Sequence, residues 1–281
     1  MGSGFKDYWD NFVAQFTSIV PPKPPEPDQP HAQDGHRAAF LLDNAATRCM
    51  NVLSYQMSDD AFRAIVGRCK GWNNVWYGFI ANHGDGNPPI TSFYAGDEHG
   101  GQIDQPKLDL MRKRIEYIRQ QGFTFIPWFY SDDSNRHVTS KSLTVQGIYL
   151  KHARSLLGDL FTGDKVLGLE LDEYWQESTV RALTAQLRTL YPHSRIGVHF
   201  TRLGKYTWAV NCGADVLYGQ YGFGKRADQI QAMTADVTNK LAGRCDFIAC
   251  EYHKSSDSAE AKALGDAAMR GGASGTGNGR N

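Results

Sequence analysis

The sequence has few of the features that mark several common protein classes. No apolar run approaches the ~18 residues of a membrane-spanning helix, and residues 1–20 lack the continuous apolar segment of a secretory signal. Lysine plus arginine and aspartate plus glutamate number 30 each, so the net charge is zero and no basic block points to nucleic acid. We therefore expect no nucleic-acid partner, no membrane span and synthesis in the cytoplasm, while the final localisation stays open.

Signs of a metal or cofactor site are also scarce. The five cysteines are odd in number and form no CxxC pair, which indicates reduced thiols rather than zinc ligands or a disulfide framework. One glycine-rich stretch contains acids and histidines without a recognisable ligand spacing. These residues are His83, Asp85, Asp97, Glu98 and His99. We expect neither a metal nor a cofactor.

Composition divides the chain into three parts. Residues 1–20 have apolar side chains at helical spacing, including Phe5, Trp9 and Phe12, and predict an amphipathic helix. Residues 21–36 form a proline-rich linker, and 37–281 form the main domain. The helix either folds back on that domain or serves as a docking peptide for a protein partner.

The main domain alternates short apolar strands with amphipathic helices. This pattern predicts right-handed crossovers and a parallel sheet, and about 245 residues suit an α/β fold of the (β/α)8 TIM-barrel type. The predicted strands are 37–43, 74–82, 123–130, 165–173, 195–200, 214–222 and 244–252, with a possible eighth at 271–275. A doubly wound sheet is the alternative, although no glycine fingerprint follows the first strand. We expect the C-terminal GGASGTGNG to be a loose tail rather than a phosphate cradle.

Polar and aromatic side chains follow the predicted strands where each one ends. In a βα barrel these carboxyl ends meet at one face, which carries the chemistry. Rings beside carboxylates suit sugars, whose apolar faces stack on aromatics while their hydroxyls bond to acids. The candidate site residues are Asp43, Trp128, Tyr130, Asp172, Glu173, Trp175, His199, Tyr218, Tyr221, Glu251 and His253.

Two glutamates stand out among these candidates. A retaining glycosidase needs two carboxyl groups about 5–5.5 Å apart, one as nucleophile and one as acid/base. Glu173 and Glu251 end predicted strands four and seven, which lie roughly opposite each other across a barrel mouth. We interpret them as the catalytic pair.

The segments VLGLELDEYW (166–175) and FIACEY (247–252) resemble strands four and seven of clan A glycoside hydrolases, the 4/7 barrel superfamily. The resemblance implies a glycosidase barrel with Glu173 as acid/base and Glu251 as nucleophile. It also implies that His199 lines the substrate site and that Tyr218 or Tyr221 lies near the nucleophile.

The chain departs from that family in three ways. Asp172 stands where the family usually has an asparagine that donates to the sugar, and an ionised aspartate only accepts. The tryptophan that ends strand eight and the final helix both have no counterpart. An inverting mechanism, an atypical family and an inactive barrel therefore stay open.

Alternation along strand four predicts which side chains face inward. Leu167 should face the helices, whereas Glu170 and Asp172 should face the interior. Glu170 would then need a partner, for which Arg48 and His199 are candidates.

Together these features predict a glycoside hydrolase that acts with retention on an oligo- or polysaccharide. The alternatives are a non-catalytic carbohydrate-binding or structural barrel, docked by its N-terminal helix to a larger assembly such as a phage particle, and a barrel lyase or phosphate-ligand enzyme.

Overall fold

A computed structural model describes most of the main domain. The described residues are 39–42, 57–69, 75–80, 93–95, 102–130, 142–168, 175–201, 203, 206–250, 252–253 and 259–279. The predicted N-terminal helix (1–20) and proline-rich linker (21–36) lie outside these ranges, as do the five residues of the histidine and acid stretch.

Eight parallel strands close into a barrel in the order of the chain. The first and last strands complete the ring, with Ala39 paired to Thr276. The strands are β1 (Ala39–Leu42), β2 (Val75–Phe79), β3 (Thr124–Tyr130), β4 (Lys165–Gly168), β5 (Ile196–Phe200), β6 (Val216–Gln220), β7 (Asp246–Cys250) and β8 (Gly275–Gly279). The predicted TIM barrel is confirmed, and the doubly wound alternative is wrong because that sheet would stay open.

Seven described α-helices accompany the strands. They are α1 (Asp59–Cys69), α2 (Gln105–Gln120), α3 (Leu143–Leu157), α4 (Glu177–Leu190), α5 (Tyr206–Asn211), α6 (Ala227–Leu241) and α7 (Ala259–Arg270). A 3-10 turn, Gly158–Leu160, extends α3. None of these helices combines the length and apolar character that crossing a membrane requires.

Capping side chains fix where the first helices begin. Ser58, directly before α1, accepts from the backbone N–H of Ala61 at 3.2 Å. Asp104 accepts from the backbone N–H of Lys107 at the start of α2. Each cap satisfies one of the amide groups that a helix start leaves without a partner.

Side chains on the strands divide between two apolar cores. Inward-facing residues fill the barrel interior, and outward-facing residues pack against the helices. The interior cluster is Tyr77, Ile126, Trp128, Val166, Val216, Tyr218, Ile248 and Cys250. On β4, Val166 belongs to the interior and Leu167 to the outer core, as alternation predicted.

The C-terminal segment corrects a prediction. The tail expected to be loose forms β8 at Gly275–Gly279, slightly later than the suggested 271–275. Glycine is a poor strand former, but β8 has backbone partners on both edges, where it pairs with β7 and β1. Closing the barrel therefore outweighs the local preference.

Candidate functional site

The carboxyl ends of the strands form one rim of the barrel, and the predicted site belongs to this rim. The described part of β4 ends at Gly168, and that of β7 ends at Cys250, directly before Glu251. Three strand pairings separate β4 from β7 around the ring. The predicted rim carboxylates lie outside the described residues, and these are Asp43, Asp172, Glu173 and Glu251. Glu170 and Arg48 lie outside them as well.

His199 is a buried polar residue of the barrel interior, toward the carboxyl ends of the strands. It is completely buried on β5, and its ring centroid lies 5.3 Å from that of Trp128. Neither imidazole nitrogen has a hydrogen-bond partner among the residues that the structure describes. Burial lowers the pKa of His199 to about 3, so at neutral pH the ring is uncharged and carries one donor and one acceptor.

Alternate strands contribute the layer to which His199 belongs. The strand pairing aligns Trp128 of β3 with Gly197 of β5, and His199 of β5 with Ile248 of β7. Because the strands of such a barrel are tilted with a shear of about 8, each layer advances by about one residue per strand, which brings Trp128, His199 and Cys250 to about one height. Gln220 of β6 pairs with Cys250 and lies two residues beyond the inward-facing Tyr218. Gln220 is therefore the inward residue at the carboxyl end of β6.

Tyr218 points toward the opposite end of the barrel. Its hydroxyl donates to Asp164 Oδ2 at 3.1 Å and lies 3.2 Å from the Tyr77 hydroxyl. Since the carboxylate only accepts, Tyr218 uses its proton there and Tyr77 must donate to Tyr218. Arg195 contacts Asp164 and Asp246, the latter at 2.8 Å. These charged residues precede or begin strands, so Tyr218 belongs to a polar network at the amino-terminal end.

Three other predicted aromatic residues lie among the helices. The Tyr130 hydroxyl donates to Gln146 of α3 at 2.9 Å, and its ring packs against Trp175. The Tyr221 hydroxyl bonds to Thr234 of α6. Each of these three rings is at most 5% exposed, and the Trp128 ring in the barrel interior is not exposed at all. The burial of these four rings gives no support to the prediction that they bind sugar, because none has an open face.

His253 lies just after β7 and interacts with the first turn of α7. Its Nε2 is 3.3 Å from a carboxylate oxygen of Glu260. The interaction gives His253 a structural partner, and its predicted contact with substrate stays a prediction.

Gln220 was not among the predicted site residues, which on this strand were Tyr218 and Tyr221. Alternation within β6 was a usable signal, because Val216 and Tyr218 face inward and Gln220 continues the series. No group of three or more potential metal ligands occurs within the described ranges.

The chain matches no known protein family and no curated protein by sequence. Solved structures resemble it in fold. A family 5 glycoside hydrolase from Bacteroides vulgatus superposes with a TM-score of 0.63 at 12% identity, over 86% of this chain and 58% of that one. A family 113 β-1,4-mannanase gives 0.53 at 12% identity, over 87% of each chain. A family 99 endo-α-mannosidase from Bacteroides thetaiotaomicron gives 0.57 at 11% identity, over 87% and 83%.

These similarities establish the fold that the two strand segments suggested. The three solved proteins are glycoside hydrolases, and this chain shares their barrel at 11–12% identity. The chain spans 58% of the length of the family 5 protein. Barrels of this type carry many chemistries, so the activity must be argued from the site.

Proposed function

We propose that this protein hydrolyses a glycosidic bond in an oligo- or polysaccharide with net retention. Glu173 is the acid/base and Glu251 the nucleophile. The closed order of the eight strands is the observation that carries the proposal. Because the carboxyl ends of β4 and β7 belong to one rim, we expect the two glutamates that follow these strands in the sequence to lie at the same face of the barrel.

The state of His199 supports a ligand site at this end. Each buried polar atom without a hydrogen bond costs about 1–3 kcal/mol, so two such nitrogens are expensive to keep. The two unbonded nitrogens of His199 impose this cost in the layer that lies beneath the rim. A neutral imidazole can donate to one sugar hydroxyl and accept from another, which would satisfy both nitrogens.

The chemistry assigns different protonation states to the two glutamates. Glu251 attacks the anomeric carbon as a carboxylate while Glu173 protonates the departing oxygen, which gives a covalent glycosyl-enzyme. Glu173 then deprotonates a water that displaces Glu251, and two inversions leave the configuration unchanged. Asp172 precedes Glu173 in the sequence, and a negative charge close to Glu173 would favour its protonated form, as the first step requires.

The substrate class follows from the fold only in outline. Two of the solved neighbours are described as a β-1,4-mannanase and a family 18 chitinase, and a third as an endo-α-mannosidase. Soluble β-1,4-mannan, chitin oligosaccharides and α-mannan are therefore rational first substrates.

The test compares Glu173→Gln and Glu251→Gln with the wild type on these glycans. Each variant should lose ~10²–10⁴ in rate, the scale of a lost acid/base group. Glu116→Gln, on the exposed surface of α2, is the matched control and should keep full activity. The anomer that forms first, followed by proton NMR, should have the configuration of the substrate.

Wild-type activity in either variant would refute the assignment of that glutamate, and an inverted first product would exclude retention. Glycan binding without cleavage by the wild type would instead favour the non-catalytic barrel, to which the aspartate in place of the family's asparagine at position 172 also points.

A further inference from the structure

The carboxyl end of β6 presents an amide group at the barrel mouth. Gln220 is the inward-facing residue there and is only partly buried, unlike the four residues before it on the strand. Its side chain makes no hydrogen bond with any residue in the described ranges. It also pairs with Cys250, the residue before the proposed nucleophile.

The next residues turn the chain sharply. Tyr221 is fixed in the outer core by its bond to Thr234, and its backbone N–H donates to the Cys250 carbonyl at 3.3 Å. Gly222 and Gly224 then adopt φ angles of 70° and 80°, which other residues rarely adopt. A β carbon at either position would meet nothing within 4 Å, so the glycines are needed for the backbone angle and not for space.

The residue between these glycines is an exposed aromatic. Phe223 is 42% exposed, and the only other large apolar side chain with comparable exposure in the described ranges is Leu143 at 40%. Because 42% of Phe223 is exposed, this side chain gains only part of the stabilisation that full burial would give. Polar residues normally occupy such turns, so a phenylalanine between two left-handed glycines is unusual there, and its exposed part presents an apolar surface to solvent.

We propose that the end of β6 forms a sugar-binding subsite in which Gln220 bonds ring hydroxyls and Phe223 stacks on the apolar face of a pyranose. The amide supplies both donors and an acceptor, which suits vicinal hydroxyls, and the ring supplies a flat apolar surface. The subsite rests on the proposed function for its substrate class. Because Phe223 lies three residues beyond the strand end, the subsite holds a sugar next to the one that is cleaved, and it favours chains over disaccharides.

The first experiment measures binding, which does not depend on hydrolysis. β-1,4-Mannohexaose, chitohexaose and the two corresponding disaccharides are titrated calorimetrically into the full chain carrying Glu251→Gln, alone and combined with Phe223→Ala or Gln220→Ala. Each added substitution should weaken hexaose binding about three- to tenfold, as the loss of one stacked ring or hydrogen bond predicts. Phe223→Ala should leave disaccharide binding within twofold.

Matched variants separate a binding role from a structural one. Leu143→Ala removes an equally exposed apolar side chain from the start of α3 and should leave binding unchanged. Phe223→Trp should retain hexaose binding, because it keeps an aromatic face. Thermal melts should show that both alanine variants unfold within a few degrees of the parent.

The outcomes distinguish the subsite from the proposed reaction. Unchanged hexaose affinity in Phe223→Ala and Gln220→Ala overturns the subsite, as does an effect shared equally by Leu143→Ala. Failure of every probe to bind also overturns it. If the glutamate variants of the previous section keep their activity while hexaose binding still depends on Phe223, the reaction assignment fails and the subsite stands.

Discussion

His199 should make the folded state progressively less stable as the pH falls below its ordinary pKa. The pKa of an exposed histidine is about 6.5, whereas burial lowers the pKa of His199 to about 3. Between these values the unfolded chain binds a proton that the folded chain does not, so the free energy of unfolding must fall with falling pH. At pH 4.5 the gap of two units below 6.5 corresponds to about 2.7 kcal/mol, at 1.36 kcal/mol per unit.

The predicted loss of about 2.7 kcal/mol depends little on the exact pKa of His199 in the folded state. Any folded value below about 4 leaves the imidazole of His199 essentially neutral at pH 4.5, and the loss then reflects protonation of the unfolded chain alone. The full contribution, from pH 6.5 down to 3, would reach about 5 kcal/mol, but carboxylates elsewhere also titrate in that range.

The assay is urea unfolding of the wild type, His199→Asn and His199→Leu at pH 7.5 and 4.5. The wild type should lose about 2.7 kcal/mol more than either variant between the two pH values. The two variants differ in polarity and volume, so their absolute stabilities will differ, yet both lack the imidazole and should show the same pH dependence. Equal losses in all three proteins would refute the claim that His199 is buried and neutral.

Three further predictions test other parts of the barrel, and two of them include a control substitution. Gly168→Ala should lower the free energy of unfolding by at least about 3 kcal/mol. The φ angle of Gly168 is 111°, and the new β carbon would lie 1.7 Å from a carbonyl oxygen of β3. Gly67→Ala in α1, where the β carbon meets nothing within 4 Å, should instead stabilise by about 0.5–1 kcal/mol in the same urea assay. Tyr218→Phe should lower the free energy of unfolding by about 1–3 kcal/mol, because it removes a donor from a buried carboxylate. Tyr191→Phe is its control and should lower the free energy of unfolding by less than about 0.5 kcal/mol, because that hydroxyl has no partner among the described residues. Burial lowers the pKa of Lys165 to about 8, so the free energy of unfolding should rise by up to about 3 kcal/mol between pH 8 and 10.5. Thermal melts of Lys165→Met should not show this increase in stability with pH.

The sequence was informative about the fold because its signals there are local and repeated. Strand β3 was predicted at 123–130 and is Thr124–Tyr130, and β5 was predicted at 195–200 and is Ile196–Phe200. Alternation of strands and helices then left few topologies to consider. The six-residue helix α5, Tyr206–Asn211, was missed because one and a half turns carry no clear period.

The site was harder to predict because it depends on contacts between distant parts of the chain. Aromatics at a strand end indicate the rim but not the direction of the side chain. Tyr218 turns toward Asp164, which is 54 residues away, and Tyr130 turns toward a glutamine on α3. Neither contact has a local signature in the sequence, whereas the inward position of Gln220 follows from alternation and was within reach.

The two ends of the barrel interior hold different kinds of polar group. At the amino-terminal end, a buried tyrosine hydroxyl donates to Asp164, and Arg195 lies between Asp164 and Asp246, so charges of opposite sign meet. At the carboxyl end, His199 keeps two buried nitrogens without a partner among the described residues, and Gln220 presents an amide with none. Paired polar groups hold a fold together, whereas unpaired ones weaken it unless a ligand completes them. The unpaired groups of His199 and Gln220 at the carboxyl end are therefore ones that a ligand could complete, and a polyhydroxylated molecule is the kind of ligand that supplies donors and acceptors together.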